Sequence, residues 1–383
     1  MKNSRSIKKL GEYIKEVSTR NKQELEIPVL SVTNNRGFIL SEEQFSKQVY
    51  SSSVTNYKIV SKNQIAYNPS RINVGSIAVL EDYDQGLISP LYTIFETTNG
   101  LNPRYLLYYL KSNEGLYYIK SKATGSVRDI VKIDALKQLN IYVPDIDEQS
   151  KIVEILDKVN KLIDKRKKQI EICNELIKFQ FIEMFGDTVQ NEKAWEVKQL
   201  QEIGTWKSGG TPSRSNHEYF KGEIDWYSAG ELNKLYLEGS IEKITQQAIE
   251  ESSAKIFNKG SMLVGMYDTA AFKMGILKKD SASNQACANV MPNESVNIVW
   301  LYYNLMHMKE HFLSNRRGIR QKNLNLGMIK EFDIPVPPIE LQNQFAEFVQ
   351  RIDKLKFEME KSLTELENNF NALIQKAFKG ELF

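Results

Sequence analysis

The chain has 383 residues, 41% of them hydrophobic and 26% charged, which is ordinary globular composition for two or three domains and excludes a disordered polymer. A formal net charge of +3 permits a polyanionic partner without demanding one. Two cysteines, Cys173 and Cys287, offer neither a disulfide framework nor metal-ligand spacing and suit a reducing cytosol.

The first six residues (Met1 to Ser6) are polar and lack the apolar stretch of a signal peptide. No apolar run reaches the roughly 18 residues of a membrane span, so a soluble cytoplasmic protein is expected. From about residue 1 to 146 the pattern is mixed α/β. Short strands are predicted at Ile27 to Val32 and Ile77 to Leu80, with Gly/Asn/Pro turns and a late helix rich in Leu and Tyr. An apolar strand and Pro turn follow (Leu139-Asn140-Ile141-Tyr142-Val143-Pro144), then an acidic helix start reaching Gln149.

A long helix is predicted over 147–186. Ile152, Ile155, Val159 and Leu162 keep heptad spacing, and Leu156, Ile163, Ile170 and Ile177 widen the stripe. Phe185-Gly186 supplies the stop. A second mixed α/β region spans 187–338, with strands predicted at Met262 to Val264 and Gly275 to Leu277. It closes on Phe332-Asp333-Ile334-Pro335-Val336-Pro337-Pro338 and leads through Gln342 into a second helix over 339–383. Phe345, Phe348, Ile352, Leu355, Met359, Leu366 and Leu373 hold the register of that helix, and Gly380 ends it.

These parts repeat. Val143 and Val336 lie 336 − 143 = 193 residues apart, and the same offset pairs Gly125 with Gly318, Val159 with Ile352 and Phe185 with Phe378. A gap-free offset over about 60 residues marks a duplicated domain-plus-helix unit, since 193 is far too long for a solenoid period. Because one head lies between the helices, their apolar stripes are expected to pack antiparallel. The expected fold is α+β: two globular α/β heads separated by two long antiparallel helices forming a coiled coil, with a pseudo-twofold internal repeat.

Particular residues carry a resemblance. In head two, Trp195 to Leu200 leads to Ser208-Gly209-Gly210-Thr211-Pro212-Ser213-Arg214, then Tyr219-Phe220-Lys221-Gly222 and Ile224-Asp225-Trp226-Tyr227. Gly318-Ile319-Arg320-Gln321 precedes the second Pro turn. Head one has Tyr67-Asn68-Pro69-Ser70-Arg71, Ser89-Pro90-Leu91-Tyr92 and Gly125-Ser126-Val127-Arg128. This series resembles the specificity subunits of type I restriction–modification enzymes over essentially the whole chain. One departure is Leu341, where the family's turn carries an acidic residue before Gln, as Glu148 does in the first copy.

The resemblance implies that each head is a target recognition domain reading one half of a split double-stranded DNA target. The helix pair would set the spacing and dock two methyltransferase subunits, with restriction subunits joining the full complex. No cofactor is expected on this chain. S-adenosylmethionine, ATP and magnesium would sit on the partner subunits.

Base edges call for bidentate donors and acceptors such as Arg, Asn and Gln, and phosphates for Lys, Ser, Thr and backbone N–H groups. On that chemistry the DNA-facing residues expected in head one are Asn34, Asn35, Arg36, Tyr67, Asn68, Arg71 and Arg128. In head two they are Lys207, Ser208, Gly209, Gly210, Thr211, Ser213, Arg214, Tyr227, Arg316, Arg317, Arg320 and Gln321. Arg128 and Gln321 occupy matching places in the two copies.

Catalytic motifs fail on inspection. Gly204 to Thr211 nearly spells a P-loop but lacks the phosphate-reaching Lys. His307-Met308-Lys309-Glu310-His311 spells H-x-x-E-H, yet no third ligand is evident beside it. Asn68-Pro69-Ser70 lacks the second Pro and aromatic of an adenine methyltransferase motif. A self-contained nuclease or methyltransferase is therefore disfavoured. The remaining alternative is a coiled-coil scaffold that binds only proteins, against which the Arg/Gln/Asn-rich loops weigh.

Overall fold

A computed structural model describes residues 7–44, 54–123, 130–314 and 324–383. The chain divides into two compact units, one of residues 1–168 with 360–383, the other of residues 169–359.

In unit one, four antiparallel strands lie in the order Ile14–Val17, Thr93–Thr97, Ile65–Tyr67, Ile77–Val79. Ile65-Ala66-Tyr67 and Ile77-Ala78-Val79 are buried on both faces, so the alternation of side chains feeds two cores. Ile65, Tyr67, Ile77 and Val79 join the layer with Tyr105, Tyr109 and Leu110 of the helix Pro103–Lys111. Ala66, Ala78 and Ile94 face Leu30, Val32, Val60 and Ile88 of a second sheet. That sheet runs Gly37–Leu40, Val29–Thr33, Gln85–Ile88, Lys58–Ser61, and its central pair is parallel.

Unit two repeats the plan, with changes at the sheet edges. Gly204–Ser208, Cys287–Pro292, Met262–Gly265 and Met274–Leu277 take the same order, with Tyr236–Leu237 added at the edge. Met262, Val264, Met274 and Ile276 pack towards Trp300, Leu301 and Leu305 of the helix Ile298–Ser314, and Leu263 and Leu277 pack the other way. The second sheet is Glu242–Ile244, Ile224–Tyr227, Ala282–Ser283, again with a parallel central pair. A lone Phe257–Ser281 bridge stands where unit one has the strand Lys58–Ser61. Each head is closed by its first and last strands, Ile7–Lys9 against Asn140–Tyr142 and Glu196–Gln199 against Asp333–Val336.

The long helices run Ile146–Phe185 and Ile339–Phe378, 40 residues each and so about 60 Å long. Both stop at a glycine with positive φ, Gly186 (+72°) and Gly380 (+65°), the conformation for which glycine has no steric penalty. In unit one Lys167 pairs with Glu367 at 2.9 Å, and Ile152 and Leu156 share a core with Ile374 and Phe378. In unit two Lys356 donates to Asn174 at 2.9 Å while Phe181 meets Phe345 edge-on. Both sets of contacts are antiparallel.

Within the expected stripe, burial is uneven and follows its second line more closely than its heptad line. Leu162 and Leu355 are 51% and 53% exposed, and Ile155 and Val159 are only half-buried. The buried line is Ile152, Leu156, Ile163, Cys173 and Ile177. A straight helix of 3.6 residues per turn drifts off a strict seven-residue repeat, and the side chains at 152, 156 and 177 are held by the heads as well as by the partner helix.

Candidate nucleic-acid interface

The same lock stands at the base of each head. Gln149 is fully buried; its Oε1 accepts from the Asn102 N–H at 2.8 Å, and its Nε2 donates to the Gly100 and Pro144 carbonyls at 3.0 and 2.9 Å. Gln342 is fully buried too, accepting from the Asn297 N–H at 2.8 Å and donating to the Ser295 and Pro337 carbonyls at 3.1 and 2.7 Å. Asn102 and Asn297 in turn accept from N–H groups in the first turn of the Tyr-rich helices. The Pro turn, the start of the long helix and the start of the Tyr-rich helix are thereby fixed together. The 193-residue repeat paired these two glutamines, but residue type alone did not reveal their task.

In head one, Asn34, Asn35 and Arg36 form the exposed tip of the hairpin between Val29–Thr33 and Gly37–Leu40. The Thr33 hydroxyl accepts from the Arg36 N–H and donates to the Gly37 carbonyl, which sets the turn. Lys111 reaches the Asn34 carbonyl at 3.4 Å, and burial pushes its ammonium below the usual lysine range. Arg36 is paired with Glu43 at 2.6 Å. Arg71 is exposed, whereas Asn68 is half-buried and accepts from the Ser70 N–H at 3.0 Å, a turn-forming use of Asn. Ser76 donates to the Val32 carbonyl, linking the segment after Arg71 to the strand that leads to Asn34.

Tyr67 corrects the expectation. It lies within a central strand, not in a turn. It is fully buried, its hydroxyl donates to the Val131 carbonyl at 3.1 Å, and burial drives its pKa upward. It is a core residue and leaves the DNA-facing set. Arg128 lies outside the described residues, as do Gly125, Arg316, Arg317, Gly318, Arg320 and Gln321.

In head two, Lys207 is exposed on its strand and Ser208 is half-buried. Gly209 and Gly210 are a second correction. Their N–H groups already donate to the Cys287 and Ser283 carbonyls at 3.0 and 2.9 Å, so neither is free for phosphate. A Cβ on Gly210 would come within 2.2 Å of the Ser253 carbonyl oxygen, and one on Gly209 within 2.3 Å of the Asn284 carbonyl oxygen. The close approach that requires glycine is to the protein's own backbone.

Thr211 donates to Gln285, and the Ser213 and Ser215 hydroxyls are hydrogen-bonded at 2.7 Å. Arg214 forms a two-pronged pair with Glu242 at 2.5 and 2.8 Å. Tyr227 is the third correction: at 1% exposure it is part of a core with Leu232, Phe257 and Leu263, and burial pushes its hydroxyl pKa up. Among the described residues, the expected set in head two that remains exposed is therefore Lys207, Ser213 and Arg214, with Ser208 and Thr211 half-buried beside them.

The H-x-x-E-H segment has a structural use. His307 pairs with Asp187 at 3.0 Å and meets the Phe181 ring at a tilt, and that hydrogen bond holds the Asp187 carboxyl below its ordinary range. Among the described residues there is no cluster of three or more His, Cys, Asp or Glu able to hold a metal ion. No described helix is long and apolar enough to cross a membrane.

The model of the type I restriction modification DNA specificity domain matches the chain twice, over residues 6–172 and 192–368. The MjaIX specificity subunit of Methanocaldococcus jannaschii is 29% identical over 187 residues, 47% of this chain and 43% of that protein. The MjaVIII specificity subunit of the same organism is 25% identical over 91% of this chain and 85% of its own length. The chain spans about half the length of two of the curated relatives it matches. A crystal structure of a type I restriction-modification S subunit from M. genitalium superposes with a TM-score of 0.59 at 16% identity, covering 99% of this chain and 97% of that one, which is a likeness of fold. With two matched domains covering most of its length, the chain belongs to the type I restriction-modification DNA specificity family.

Proposed function

We propose that the chain is the non-catalytic, sequence-reading subunit of a type I restriction–modification enzyme. Each head reads one half of a bipartite double-stranded DNA target. The observation that carries this is the repeat itself: one sandwich topology and one glutamine lock occur twice, while the exposed loops differ. Asn34 to Arg36 and Arg71 serve one head, and Lys207, Thr211, Ser213 and Arg214 the other. Equal scaffolds bearing unequal donors suit two unequal half-sites.

The long helices set the gap between the half-sites. Half-sites one turn of DNA apart are separated by about 34 Å, within the reach of a helix of about 60 Å. The helices also dock two methyltransferase subunits and, through them, restriction subunits. Exposed Ile172, Leu176, Phe179 and Ile182 on the first long helix offer apolar surface for a protein partner. S-adenosylmethionine, ATP and magnesium belong to those partners, and the assembly works in a bacterial or archaeal cytoplasm.

The test is selection of binders from random duplex DNA by the chain assembled with its methyltransferase subunits, at two salt concentrations. Enrichment of two short blocks around an unread gap of fixed length is expected, with affinity falling steeply as salt rises. No enrichment and no salt dependence would leave the protein-only scaffold as the better reading.

A further inference from the structure

Arg214 is held in an unusual way for a solvent-facing arginine. Its guanidinium lies 4.4 Å from the ring centre of Phe220 and 5.1 Å from that of Trp226, and Glu242 grips it with both oxygens. Trp226 is itself fixed, since its indole N–H donates to the Gly210 carbonyl at 3.0 Å. Arg214 remains 56% exposed and Glu242 41% exposed. An ion pair this open contributes little to stability on its own. The aromatic shelf and the two-pronged geometry therefore point to something other than holding the fold.

A carboxylate presents two parallel acceptors to the fork of an arginine. The O6 and N7 atoms of guanine do the same, and so do two oxygens of a phosphate. We infer that Glu242 is an internal stand-in for DNA. It occupies the fork of Arg214 in the free protein, keeps the guanidinium against the Phe220 and Trp226 rings, and yields its place to a two-acceptor group of the target. Non-target DNA must then displace a carboxylate without offering the matched acceptors, so Glu242 raises discrimination in the second head at the cost of raw affinity. The inference rests on the DNA-reading function proposed above. Head one carries a looser pair, Arg36 with Glu43, formed through one guanidinium nitrogen.

The experiment uses the full chain assembled with its methyltransferase subunits, a duplex library with a random 40-base-pair core, and one fixed duplex lacking the selected motif. With Glu242→Gln, affinity for the fixed duplex should rise about fivefold and its salt dependence steepen by about one counterion, while the ratio of target to non-target binding falls. Arg214→Lys keeps the charge and removes the fork. Loss of preference at one position of the second half-site identifies a guanine edge, and a uniform loss of affinity identifies a phosphate. The double change Arg214→Met with Glu242→Met removes both partners and should leave folding intact; it must weaken or blur the second half-site alone.

Unchanged binding and motif in Glu242→Gln and in the double variant would overturn the inference. So would equal damage to both half-sites. An unaltered chain that selects no motif would remove the DNA-reading function itself. A bipartite motif indifferent to all three variants would remove only the role of Glu242.

Discussion

The two heads share most of the frame that positions their loops and little of what the described loops present. Both place a central layer, four-stranded in head one and five-stranded in head two, between a Tyr-rich helix and a second sheet, and both are pinned by a buried glutamine contacting a helix-capping asparagine. Yet head one offers a hairpin tip with Asn34, Asn35 and Arg36, where head two offers a long segment in which Arg214 lies on aromatic rings. Duplication preserves the parts whose failure would unfold the unit and frees the parts that only meet a partner.

Several substitutions would sharpen or break that comparison. The largest effect is expected where the repeat is tightest. Phe185→Ala removes a fully buried ring packed edge-on against Trp300 and Phe345, and should cost unit two about 3–5 kcal/mol in denaturant unfolding. Its counterpart Phe378→Ala removes a ring held by Tyr105 and Tyr109 and should cost unit one a similar amount. A difference of several kcal/mol between the two would argue against equivalent roles.

Next come the glutamine locks. Gln149→Ala and Gln342→Ala each strand one buried N–H and two carbonyls, a loss of about 3 kcal/mol for the affected unit, read as a lowered melting temperature. Gly210→Ala should destabilise unit two by about 3 kcal/mol, because its new methyl meets the Ser253 backbone. Were it instead to lower DNA affinity with folding unchanged, the glycine would belong to the interface after all.

The smallest effects belong to the exposed loops. Arg36→Ala and Lys207→Ala should change stability by no more than about 0.5 kcal/mol while weakening DNA binding. Cys287 gives a pH-based check. Burial pushes its thiol pKa up to about 12, so the reactive thiolate is scarce at pH 8 and alkylation of the folded chain at this residue should be far slower than in denaturant. Rapid native labelling of Cys287 would contradict the core in which it stands.

Much of this was legible in the sequence. The repeat offset, the Pro turns, both long helices with their glycine stops, and the strands near 77–79, 262–265 and 274–277 follow from apolar spacing and breakers. What escaped was the use made of individual residues. Tyr67 and Tyr227 sit beside turn-like or motif residues, and nothing local says that their rings point into a core. Gly209 and Gly210 look like phosphate-binding glycines because either use requires a missing Cβ; only the placement of Ser253 and Asn284 decides between them. The exposure of Leu162 and Leu355 within an otherwise expected stripe has a similar reason, since a heptad count knows the partner helix but not the heads that also cover it.

The most direct test of the central claim is to repeat the selection of DNA binders with Arg71→Ala and with Lys207→Ala, each assembled with methyltransferase subunits. Independent reading by two heads requires that each change alter its own block of the selected motif and leave the other block and the gap untouched. If either change alters both blocks together, or if the selected motif is one contiguous block, the two heads do not read separate half-sites.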